Sequence, residues 1–301
     1  MKKALLFVMI TALCFSTLEP VSALIATEIA PTAMTAIRFI IGGLIMLPFS
    51  IVGLKKHQIK LTVKTCIPLL MLSIFLVCVS MVPLQYAVLA AKNAGESPAV
   101  VAIIFCCNSV FTMLFSALIL KEKISAKSCI GILLCLAGIV VSSNITAGVG
   151  LVSGGLALLS AVTMGLYTVL SKRLMKDIPG VVQTGFSFLF GGCFLALVLL
   201  ICGVPLLPTT GLSWLNGSIL VYLGIVVTGI GYAAYFKAIE HGSATVASSA
   251  FLIKPVLAPF ATLLIVGSTI HWTILIAVPL VVVGSVLMMK GKQAPTQSAS
   301  K

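Results

Sequence analysis

Residues 245–270 read TVASSAFLIKPVLAPFATLLIVGSTI, apolar or small throughout except for one lysine, Lys254. A run of this length matches the roughly 20 residues that carry a helix across a bilayer. An ammonium group at the middle of such a helix costs about 2.5–3.5 kcal/mol on insertion scales. Lys254 therefore raises a question of its own, but the run around it settles the class of the chain. Similar runs recur from end to end of the 301 residues, of which 60% are hydrophobic and only 8% charged. A soluble domain carries about 25% charged residues. The chain reads as an all-α membrane protein.

The net charge of +13 does not point to nucleic acid, because its placement is that of topology signals. Apolar runs predict ten transmembrane helices at about 4–24, 33–53, 66–90, 97–119, 127–143, 150–171, 181–203, 215–236, 245–267 and 272–289. With the N-terminus in the cytoplasm, the inner segments collect the basic clusters at 2–3, 55–64, 121–127, 172–176 and 290–301, and Lys237. The outer loops collect only Lys92. This bias predicts both termini inside and an inner, bacterial plasma membrane. A rival reading takes residues 1–23 as a secretory signal ending in Val21-Ser22-Ala23. The length of the apolar run and Glu19-Pro20 within it argue against cleavage.

The two halves repeat weakly but in order. PTAMTAIRFIIGG (31–43) aligns with PGVVQTGFSFLFGG (179–192), YAVLAAKNA (86–94) with YFKAIEHGS (235–243), and FCCNSVFTMLF (105–115) with FLIKPVLAPFA (251–261). Gly138 matches Gly284. Five helices per half is an odd number, so the second half enters the membrane from the opposite side. The expected organisation is two inverted five-helix repeats, residues 1–144 and 145–290, with a disordered cytoplasmic tail at 291–301. Inverted repeats place a substrate site between the halves near the midplane. Gly42-Gly43, Gly150, Gly154, Gly191-Gly192, Gly229 and Gly231 suit close helix packing.

RFIIGG (38–43), the fourth helix ending in LKEKIS (120–125), and KPVLAPF (254–260) together resemble the drug/metabolite transporter superfamily, specifically EamA-type ten-helix transporters. The resemblance implies export or exchange of small metabolites, amino acids or drugs. It also implies a cavity lined mainly by the first, third, fourth, sixth, eighth and ninth helices. Where the family often has Gly-Glu after the ninth helix, this chain has Gly267-Ser268; the first-half counterpart, Glu122, is kept.

Three ionisable residues fall inside predicted helices: Glu19, Arg38 and Lys254. Such groups face a cavity or a partner. Glu19 and Arg38 lie at similar depth and are expected to pair, or Arg38 to snorkel outward. Lys254 lies nearer a helix centre, beyond easy snorkelling. Pro20 frees a backbone carbonyl one turn back, and Pro255 with Pro259 are expected to kink or break the ninth helix. Across the repeat, Lys254 falls opposite Asn108 and Glu19 opposite Thr168, which marks all four for one central site. There Lys254 would bind an anionic substrate group or exchange a proton, and Glu19 would bind an amine or carry a proton. Tyr86, Tyr167, Tyr232 and Tyr235 are candidate walls. An interfacial belt is the alternative place for Tyr86, Tyr222, Trp214 and Trp272.

The expected function is a secondary transporter of a small organic metabolite such as an amino acid, working by alternating access; a non-transporting structural or sensory subunit is the alternative. No GxxxxGK[ST] loop is present. No helix centre holds a histidine or paired acids, so an enzyme is not expected. The nine cysteines form no CxxC pair and, like the three histidines, have no metal spacing. No cofactor, metal or nucleic-acid partner is expected. Lipid and a small-molecule substrate are, and protons and a homo-oligomer are left open.

Overall fold

A backbone surrounded by lipid must satisfy its own polar groups, and a helix does so within one segment. The protein, represented by a computed structural model, is described over residues 2–60, 62–121, 124–142, 150–207, 212–241, 247 and 250–291. These residues contain helices and no strand. The helices are α1 (Lys2–Ser16), α2 (Leu18–Ile25), α3 (Pro31–Lys56), α4 (Val63–Ile74), α5 (Val82–Asn93), α6 (Pro98–Cys106), α7 (Asn108–Ile119), α8 (Ala126–Ser142), α9 (Leu151–Leu174), α10 (Gly180–Ile201), α11 (Trp214–Tyr222), α12 (Gly231–His241), α13 (Ala250–Val266) and α14 (Trp272–Gly291). Among the described residues, seven helical runs are long and apolar enough to cross a membrane. Shorter apolar helices cover Ala126–Gly138, Ile253–Val266 and Trp272–Leu287. Glu122 and the tail beyond Gly291 lie outside the described residues.

Several runs are interrupted, each for a local reason. α1 gives way to α2 at Thr17, three residues before Pro20, whose missing N–H leaves the Ser16 carbonyl without its ladder bond. The ladder resumes with Val21 N–H donating to the Thr17 carbonyl at 3.0 Å. α6 gives way to α7 at Cys107 without any proline. There the Asn108 side-chain amide donates to the Phe105 carbonyl at 2.8 Å, and the Ser109 hydroxyl to the Cys106 carbonyl at 3.2 Å. Side chains that bond nearby backbone in this way compete with the helical ladder. α4 joins α5 through a π-helical segment, Phe75–Met81, just before Pro83; α11 joins α12 through a second, Leu223–Ile230. In the second, the Thr228 hydroxyl donates to the Leu223 carbonyl five residues back, at 2.8 Å. π segments in long helices often mark functional regions.

Of the kink or break expected at Pro255 and Pro259, the break is absent. α13 runs unbroken from Ala250 to Val266 with both prolines inside it. Each proline removes one rung, and the rungs between them keep the helix continuous.

Packing between distant helices has a reciprocal pattern. Gly43 of α3 sits against α10, where an added Cβ would lie 2.7 Å from the Leu189 nitrogen. Gly192 of α10 sits against α3, where an added Cβ would lie 2.9 Å from the Ile40 nitrogen. Gly192 follows Gly43 by the same 149 positions that separate Leu189 from Ile40. α8 and α14 repeat the relation. Gly138 meets Ala277 and Val281, and Gly284 meets Gly131 and Cys135. Each residue of that second set follows its mate by 146 positions, the separation of the Cys135–Val281 contact. Small residues thus let these backbones approach closely.

Candidate functional site

α1 packs on α12 and α13, α7 packs on α9, and α3 packs on α10. Between them lies a cavity of about 520 Å³, within the range of small-molecule sites. Eight aromatic residues stand in its walls: Phe15, Phe39, Phe105, Tyr167, Tyr232, Tyr235, Phe236 and Phe251. Polar groups come from α7 (Asn108, Ser109, Thr112), α9 (Thr168, Ser171, Lys172) and α10 (Gln183, Thr184). Arg38 and Lys254 supply buried charge from α3 and α13, and Lys172 adds an exposed charge from α9. No Asp or Glu is among the described residues lining it.

Lys254 is not the free cation that its own segment implies. Its Nζ donates to Glu19 Oε1 at 2.7 Å, and both side chains are buried, at 4% and 0% exposure. The partner lies 235 positions away in sequence, on α2. The ammonium also faces the Phe105 ring, 5.2 Å from its centroid, within cation–π range. Phe105 stands beside the interruption at Cys107, so the broken helix delivers that ring to the lysine. Glu19 lies behind Lys254 instead of lining the cavity, and its Oε2 has no hydrogen-bond partner.

The expected Glu19–Arg38 pair is therefore replaced by Glu19–Lys254. Arg38 does not snorkel either: it is only 2% exposed. Its guanidinium carbon lies 4.6 Å from the Phe39 ring centroid, while Nε and Nη2 have no hydrogen-bond partner. The Phe39 ring begins an aromatic chain. Phe39 meets Phe188 at 4.9 Å, Phe188 meets Tyr232 at 4.8 Å, and Tyr232 meets Phe15 at 4.8 Å. Edge-on and tilted aromatic pairs at these separations add about 0.5–1.5 kcal/mol each beyond burial.

Asn108, Tyr167, Thr168, Tyr232 and Tyr235 share the cavity wall with Arg38 and Lys254. Tyr86 does not; it is on the outside of the bundle, 39% exposed. The Tyr222 hydroxyl lies 2.9 Å from that of Thr17 at the α1–α2 interruption. Trp214 and Trp272 are exposed. Pro20, Pro255 and Pro259 shape backbone and line nothing. Sequence reasoning missed Gln183, which donates to Ser171 beside Tyr167. Gln183 stands in the stretch aligned with PTAMTAIRFIIGG (31–43), upstream of the part matching RFIIGG, and nothing local distinguishes it from an ordinary polar residue at a helix start.

The EamA-like transporter family matches the chain twice, over residues 2–144 and 153–290. The chain belongs to the EamA-like transporter family. This EamA-like protein is similar to an uncharacterized transporter of Clostridium kluyveri, with 35% identity over 95% of this chain and 93% of the relative. It is also similar to the uncharacterized transporter YvbV of Bacillus subtilis, with 27% identity over 90% and 86% of the two chains. A protein of known crystal structure shares the fold with a TM-score of 0.64 at 21% identity, over 95% of this chain and 96% of that one. The EamA-like chain is thus an integral membrane transporter.

Proposed function

We propose that the protein is a secondary carrier of a small organic metabolite, an exporter or exchanger, working by alternating access around the central cavity. Ten crossings form two inverted five-helix repeats, residues 1–144 and 145–290, with both termini in the cytoplasm of a bacterial inner membrane. Two family matches in one chain and the reciprocal glycine contacts support this organisation. The π segments support it too: Leu223 follows Phe75 by 148 positions, close to the offset of the aligned sequences.

The observation that carries the mechanism is the buried Glu19–Lys254 bridge, which ties α2 of one half to α13 of the other at the cavity wall. Around it the lining runs toward Ser171, Lys172, Gly180 and Gln183, at the end that carries the basic 171–180 segment. At the far ends, polar contacts join the halves. Asn216 Nδ2 donates to Glu28 Oε2 at 2.6 Å, and Ser153 Oγ donates to Glu96 Oε2 at 2.5 Å. This asymmetry supports an inward-facing state with an outer clasp. Rocking one half against the other would break the clasp and close the inner mouth. Uptake of labelled metabolites into proteoliposomes tests the reading: counterflow that needs an intact cavity is expected, and absence of flux for a broad metabolite panel would reject it.

A further inference from the structure

We infer that the Arg38 guanidinium is the docking point for a carboxylate, and that the cargo is a monoanionic organic acid with an apolar or aromatic body and no ammonium group. The inference rests on the carrier reading for the word cargo, but its physical basis is separate. Nε and Nη2 are the two nitrogens with no partner, and they form one edge of the guanidinium. That edge presents two parallel N–H groups, the fork that engages a carboxylate through two bonds at once. Arginine stays charged, so the edge cannot relieve itself by losing a proton. Buried donors left unmade are costly and call for an explanation.

Charge balance points the same way. Two buried cations, Arg38 and Lys254, stand in the cavity wall with one carboxylate, Glu19, behind it; Lys172, the third cation of the lining, is exposed. Lys254 takes Glu19 Oε1, and Glu19 reaches Arg38 through its field but makes no hydrogen bond to it. One positive charge is left in excess, which one monoanion neutralises. An ammonium group on the cargo finds no acid on the lining. The Phe39 ring beside Arg38 and the Tyr232 ring close by offer apolar faces to the rest of the molecule. Nε and Nη2 have almost no exposure of their own, so a neighbouring group must shift for the cargo to reach them.

The test is binding to the purified full chain in nanodiscs, read as thermal stabilisation, with 3-phenylpropionate, its uncharged amide and phenylalanine as probes. The acid should stabilise the wild type at concentrations at least about tenfold below those at which the amide or phenylalanine does. Arg38→Lys should raise the half-saturating acid concentration about tenfold or more, and Arg38→Met should abolish the response. Equal responses to acid and amide, no response to the acid, or full affinity in Arg38→Lys would overturn the inference. The wild-type comparison decides if the variants fail to fold. A chain that binds the acid but moves nothing would reject the carrier reading and keep this one. A chain that moves a neutral or cationic solute equally well with Arg38→Met would do the reverse.

Discussion

Lys254 Nζ and Glu19 Oε1 stand 2.7 Å apart, buried, and joined across 235 positions of sequence. Neither residue is neutralised by its own helix, and each is the other's reason for being tolerated in the membrane. A buried pair of this kind contributes little net stability compared with apolar residues, yet removing one partner leaves an uncompensated charge. Replacing Lys254 with methionine should therefore destabilise the protein by about 3–5 kcal/mol. The double replacement Glu19→Gln with Lys254→Met should recover most of that loss. Thermal unfolding of the detergent-purified variants checks both statements; a single variant as stable as the double would show that the pair is not coupled.

Gly43 and Gly192 have backbone of the facing helix where a Cβ would go. Gly43→Ala and Gly192→Ala should each destabilise by about 1–3 kcal/mol, since backbone yields less readily than a side chain. Gly155 on α9 has nothing within 4 Å of an added Cβ, so Gly155→Ala serves as the neutral control. Unfolding midpoints of the three variants, measured side by side, are the check.

The proposed outer clasp consists of two contacts, Glu28–Asn216 and Glu96–Ser153. Hydrogen bonds to charged groups are worth about 1.5–3 kcal/mol. Asn216→Ala combined with Ser153→Ala should shift the population toward outward-open states, by roughly tenfold or more. Spin-label distances across the outer ends should lengthen in the double variant. An unchanged distance distribution would show that the clasp does not hold the state.

Tyr86 and Asn108 separate the cavity wall from the bundle exterior. Tyr86→Phe should leave binding and flux within twofold of wild type, because the ring stands outside the cavity. Asn108→Ala should reduce both, since it removes a cavity amide and the bond to the Phe105 carbonyl that holds the α6–α7 interruption. Proteoliposome flux of the two variants compares them directly.

The membrane class was legible because hydropathy is a local property, readable one run at a time. The candidate cavity was half legible. Lys254, Asn108 and Thr168 could be grouped because the repeat carries position from one half to the other, and three of the four candidate tyrosines followed from the chemistry of their rings. The partner of Lys254 could not, since depth alone allowed Glu19 to face Arg38 instead. Which of two cations takes one carboxylate depends on how α2 packs against α13, and no pattern within either segment encodes that contact. The prolines misled in the other direction. Pro255 and Pro259 read as a break, yet the decisive interruption lies at Cys107, where Asn108 and Ser109 compete for carbonyls without any proline nearby. Side-chain bonds of that kind have no compositional signature.

The most direct test of the carrier account uses Cys106, which lines the cavity, as the sole cysteine of the chain. A membrane-impermeant thiol reagent is applied from each face of oriented vesicles, with and without the carboxylate probe. The account predicts labelling from the cytoplasmic face at rest, labelling from the outer face in a minor fraction, and a shift between the two when the probe is added. Labelling from one face alone, unchanged by any ligand or by loss of the outer clasp, would contradict alternating access.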